Sequence, residues 1–152
     1  MRSALIAVAA VLALARMAPA SATGTLVCEA QDKTLDFSVT GALGGMRHNM
    51  VVNLGGNLAL KAGGVPDGLR DLKLAKEDVT QAWLDERKLL LELYREQTEG
   101  RGAYVLLMVE TKFVKEGEYR GRYLLETDVV GSDGAYGSKP RKLRGKVACF
   151  TG

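Results

Sequence analysis

The chain has 152 residues, and removing an apolar leader of residues 1–22 leaves 130, the size of one domain. Its formal net charge of +3 falls to +1 when Arg2 and Arg16 leave with the leader, which excludes the strong basic excess of a dedicated nucleic-acid binder. Apolar residues at 47% and charged residues at 26% exclude wholesale disorder.

Arg2 supplies a positive start, and Ala4 to Ala15 is an unbroken apolar run, too short for the roughly 20 residues that span a bilayer. The small-x-small sites Ala18-Pro19-Ala20 and Ala20-Ser21-Ala22 follow; the second is preferred and places the mature start at Thr23. Residues 1–22 are therefore expected to be a signal peptide, and 23–152 a single domain in the periplasm or outside the cell. The residues before Cys28, Thr25-Leu26-Val27, lack the small residue of a lipobox, and no later window offers a membrane span.

All 18 glycines follow the leader, about twice the usual share, so turns are many. Residues 25–30, 34–43, 50–60 and 69–75 read as short strands punctuated by Gly44-Gly45, Gly55-Gly56, Gly63-Gly64 and Pro66-Asp67-Gly68. Residues 76–100 admit two readings. As a helix near 78–97, Asp78 is the N-cap and Val79, Ala82, Trp83, Leu90, Leu93 and Tyr94 form a stripe. That stripe breaks at Glu86 and Arg87 and leaves Leu84 and Leu91 off it. The preferred reading is two strands about the turn at 85–88, with the helix, and so an α+β fold, as the alternative.

The last fifty residues alternate strictly. Val105, Leu107, Val109, Thr111 and Phe113 share one face of a strand. After Lys115-Glu116-Gly117-Glu118 a second strand runs to Val129, which predicts a hairpin. The loop 131–140 leads to a last strand carrying Leu143, Gly145, Val147 and Cys149. The pattern predicts an all-β fold, an antiparallel closed barrel or sandwich of about eight strands. It resembles lipocalin-like barrels and small periplasmic barrel inhibitors of proteases in general architecture only, since no motif residue carries the likeness.

Cys28 on the first strand and Cys149 on the last are the chain's two cysteines, expected to form a disulfide, as export places them where thiols oxidise. A zinc site would need more ligands than these and the single His48, so no metal and no cofactor is expected. Ser38, Ser132 and Ser138 lie in no Gly-x-Ser-x-Gly elbow, which leaves a serine triad unsupported. Asp128 and Asp133 match no EF-hand spacing.

Three groups remain. Carboxylates such as Asp85, Glu86, Glu92, Glu96, Glu110, Glu126 and Asp128 read as a solvated face, with Glu92, Glu110 and Glu126 sharing it with Arg120, Arg122, Arg144 and Lys146 as cross-strand charge pairs. Lys139, Arg141, Lys142, Arg144 and Lys146 form a basic cluster, a candidate for an anionic surface such as lipopolysaccharide or phospholipid headgroups. Leu90, Tyr94, Leu106, Met108, Leu124 and Phe150 recur among the charges as a candidate interaction patch. The expectation is a non-catalytic binding or interaction module for a protein, an envelope component or a small apolar ligand, with a homodimer among the partners. No nucleic acid and no stable membrane insertion of the mature chain are expected. The alternative is a carboxylate-dependent hydrolase.

Overall fold

The computed structural model describes residues 24–44, 50–85, 87–100, 102–131, 134–136 and 140–152. Residues 1–22, where a signal peptide is expected, and His48, Glu86, Ser132, Asp133, Ser138 and Lys139 lie outside them. The strands are β1 Gly24–Gln31, β2 Leu35–Gly44, β3 Met50–Leu60, β4 Asp71–Leu74, β5 Val79–Leu84, β6 Lys88–Gln97, β7 Ala103–Lys115, β8 Glu118–Val129 and β9 Arg141–Thr151. All pair antiparallel in one strongly curled, half-barrel sheet of order β4-β3-β2-β1-β9-β8-β7-β6-β5. This is the all-β architecture that the alternation predicts.

Residues 78–97 contain strands and not a helix. Leu84, Leu89, Leu91 and Leu93 are buried at strand period. Asp85 turns the chain between them, its Oδ1 accepting the N–H groups of Arg87 and Lys88 at 2.6 Å each.

The inner face is filled by side chains. Phe37, Tyr123 and leucines from β1, β2, β3, β6, β7 and β8, among them Leu26, Leu35, Leu58, Leu89 and Leu107, are almost entirely buried. Each such side chain contributes about 1.5–3 kcal/mol. The curl demands close approach of neighbouring backbones at Gly121, where a Cβ would lie 1.9 Å from the Glu110 carbonyl oxygen.

Cys28 lies directly opposite Cys149 where β1 pairs β9, and the two are joined by a fully buried disulfide. A bond of this kind points to an oxidising, extracytoplasmic environment. The first and last strands thus meet in the middle of the sheet, while its edges come from mid-sequence strands.

Those edges, β4 and β5, are consecutive in the chain. Counted through the antiparallel sheet they run in the same direction, and only Ala75 and the 3₁₀ turn Lys76–Asp78 separate them. They act as one strand broken in two, its first part adding to β3 and its second to β6. Arg95 on β6 bridges the break: its guanidinium donates to both carboxylate oxygens of Asp78, one at 2.6 Å, and to the Lys73 carbonyl at 3.3 Å. Asp78 is buried and also accepts the Ala75 N–H at 2.8 Å. Burial pushes its carboxyl up, but the Arg95 and Ala75 donors outweigh that and hold it below the usual range.

Beyond the break β3 and β5 touch without a hydrogen-bonded ladder among the described residues, and residues 51–54 and 79–82 line a cleft of about 440 Å³. Each edge carries a bulge there. Asn53 (φ 53°) and Leu54 together oppose Gly41, and Thr80 is the unmatched residue of β5. Bulges twist unpaired edges away from other chains.

Candidate functional site: a cation-rimmed outer groove

Because alternate side chains leave the core, the outer face of β6–β9 is set by register. Met108 lies opposite Leu124, Tyr94 opposite Leu106, and Leu90 opposite Trp83 of β5. These five residues of the apolar series are all half-buried. Phe150, the sixth, sits apart on β9 between Val27 and Glu118, and is exposed.

Met108 and Leu124 line a groove of about 570 Å³ whose rim is Lys112, Arg120, Arg122 and Arg144 with one carboxylate, Glu110. Lys112 faces Lys88 on one side and Arg120 on the other, and Arg122 faces Lys146. Like charges directly opposite cost roughly 0.2–1 kcal/mol per pair. Among the described residues only Arg120 of these six cations has an ion-pair partner, Glu118, which Lys115 also reaches at 3.2 Å. Those two cations hold the Glu118 carboxyl below the usual range.

The basic cluster read from β9 is divided. Arg141 turns away and donates to the Gly63 carbonyl, and Lys142 pairs with Glu126 at 3.0 Å. Arg144 and Lys146 remain, and the structure brings them beside Lys112, Arg120 and Arg122. Lys112 was not singled out in the sequence: the turn at Glu116 and Gly117 by itself would oppose it to Gly121, and only the bulge at Val114 shifts the register to set it opposite Arg120.

Of the other acids on this face, Glu92 lies opposite Met108 and Glu96, Glu126 and Asp128 lie farther toward the other end, each with a donor. Glu126 accepts from the Tyr104 hydroxyl at 2.8 Å, Glu96 from Tyr136 at 2.5 Å, and Glu92 from Thr80 at 2.7 Å. Asp128 accepts its neighbour's N–H through Oδ1, while its Oδ2 is buried without a partner among the described residues. Tyr94 stacks on Tyr104 at 5.9 Å and Tyr104 meets Tyr136 edge-on at 5.2 Å. Burial, followed by the Glu126 bond, pushes the Tyr104 phenol well up. Of the expected cross-strand charge pairs, Glu110 lies directly opposite Arg122. The groove holds a single carboxylate and the seam cleft holds none.

No group of three or more His, Cys, Asp or Glu among the described residues is arranged to hold a metal ion. Comparison with known proteins matches the chain to no protein family, no curated protein and no solved structure.

Proposed function

We propose that the protein is a non-catalytic extracytoplasmic binding module, exported by cleavage after residue 22, that engages an anionic partner through the outer groove of β7–β9. One observation carries this reading: Lys88, Lys112 and Arg120 form one row of like charge and Arg122 with Lys146 forms the next, around the apolar floor Met108 and Leu124. The acids at these rows are few: Glu118 pairs with Arg120, and Glu110 lies opposite Arg122, which leaves the other four cations of the face without an ion-pair partner among the described residues. An arriving anion relieves the repulsion, and three arginines offer the forked donors that suit phosphate or carboxylate.

The probe is soluble polyphosphate, followed by titration calorimetry. Binding is expected to weaken at least tenfold in Arg122→Glu/Arg144→Glu and to change little when two cations off this face, Lys33 and Lys73, are reversed instead. Equal losses in the two double variants would reduce the effect to net charge and end the reading.

A further inference from the structure

We infer that the anion met by this face belongs to a lipid surface: the end of the sheet where β7 and β9 finish docks on an anionic bilayer, with the β7–β9 cations on the phosphates and Phe113, Val114 and Phe150 seated in the interfacial layer. The inference rests on the proposed anion-binding reading and names the source of the anion.

Antiparallel order puts the last residues of β5, β7 and β9 and the first of β6 and β8 at one end of the sheet. Of the five exposed large hydrophobics among the described residues, four lie within two residues of that end: Trp83, Phe113, Val114 and Phe150. The fifth, Tyr136, is tied to Glu96. Phe113 and Val114 are about half exposed, at 48% and 53%, and Val114 is the unmatched residue of a bulge, without a partner on β8. Soluble phosphate makes no use of such side chains, whereas a bilayer interface does.

Their placement relative to the cations fits that layer. Along β9 the outward residues run Arg144, Lys146, Ala148, Phe150, and along β7 Lys112 is followed two positions on by Val114. Two residues of strand advance about 6.8 Å, so Val114 lies beyond Lys112 by a distance within the roughly 5–10 Å to which interfacial side chains sink, while on β9 Phe150 lies four residues, about 14 Å, beyond Lys146. Val114 therefore reaches the acyl boundary with Lys112 level with phosphate, and Phe150 extends the apolar end beyond the β9 cations. Of the described acids near this end, Glu118 is paired with Arg120 and Lys115 and Asp85 accepts backbone N–H groups, whereas Glu29 opposite Ala148, Glu110 opposite Arg122 and Glu116 in the turn are exposed and are outnumbered by the cations of the face.

The experiment uses the exported protein with vesicles of phosphatidylcholine alone or mixed equally with phosphatidylglycerol, read by co-sedimentation across a salt series. Binding is expected to the mixed vesicles only and to fall steeply with salt. Arg122→Glu/Lys146→Glu should weaken it at least tenfold. Val114→Ser/Phe150→Ser should weaken it severalfold without changing the salt slope; both changes are on exposed side chains, and circular dichroism confirms the fold. Equal binding to both vesicles, or none to the mixed ones, overturns the lipid inference. If polyphosphate binding through the same arginines persists in that case, the anion site stands and only its lipid source falls; if it too is missing, both fall.

Discussion

The hydroxyl of Tyr123 donates to Asp32 Oδ2 at 2.7 Å, and its ring reaches there across Gly145 of the intervening strand. Any side chain at 145 would obstruct this path, since a Cβ there would lie 2.4 Å from both Asp32 Oδ2 and the Tyr123 ring. Gly145→Ala should therefore destabilise the protein by about 2 kcal/mol, and Tyr123→Phe by about 1–2 kcal/mol, both read by chemical denaturation. Burial, then the Asp32 bond, pushes the Tyr123 phenol up to about 12. A raised folded value contributes stability that is present below pH about 10, the unfolded value, and disappears as pH climbs through the folded one. Tyrosinate absorbance should show several late-titrating groups, because Tyr94, Tyr104 and Tyr136 are raised too, and Tyr123→Phe should remove one of them.

The Arg95 bridge to Asp78 should show in the acid limb. Its folded carboxyl value is depressed, so the contribution is present above the unfolded value of about 3.9 and is lost as pH falls through the folded one. Asp78→Asn should cost about 2 kcal/mol at neutral pH, because Arg95 loses its charged partner. Hydrogen exchange should rise in β4 and β5 before the rest of the sheet. Uniform exchange in that variant would mean that the break needs no bridge.

Closing a sequence separation of 121 residues, the Cys28–Cys149 bond should contribute up to about 5 kcal/mol. Denatured, unreduced protein should titrate no thiol, and reduction should lower the melting temperature. Intact mass of exported material should begin at Thr23; a full-length or acylated mass would contradict the signal-peptide reading.

Met108→Lys tests whether the outer groove is open to solvent. Half-buried on the outer face, a lysine there can reach water, so stability should change by less than about 1 kcal/mol. Light scattering of the same variant reports any homodimer that uses this face. A loss of several kcal/mol would mean that the chain itself covers Met108.

Much of this fold is legible in single strands. Val105, Leu107, Val109 and Thr111 alternate with Leu106, Met108 and Glu110 and lie on opposite faces, because the period of two is a property of each strand's own backbone. The disulfide was also within reach, since two cysteines after residue 22 leave one possible pairing. Phe113 keeps to the face of Val105 and Leu107, edge-on to Tyr119, but is left half exposed because β7 outruns the core near its end.

Which charges become neighbours belongs to another level. Arg122 faces Lys146 and Glu110 because three strands meet at one register, and that register follows from how the whole sheet curls at positions such as Gly121. In the sequence, acids and bases on one face read as compensating pairs; in the fold some do pair, as Lys142 with Glu126 and Arg120 with Glu118, while Lys88, Lys112, Arg122, Arg144 and Lys146 gather without an ion-pair partner among the described residues. The broken edge strand was equally hidden, since Arg95 finds Asp78 and Lys73 only after β6 is brought to the end of β4. Local backbone geometry decides which way each side chain points; long-range pairing decides what it meets, and with it the character of this protein's surface.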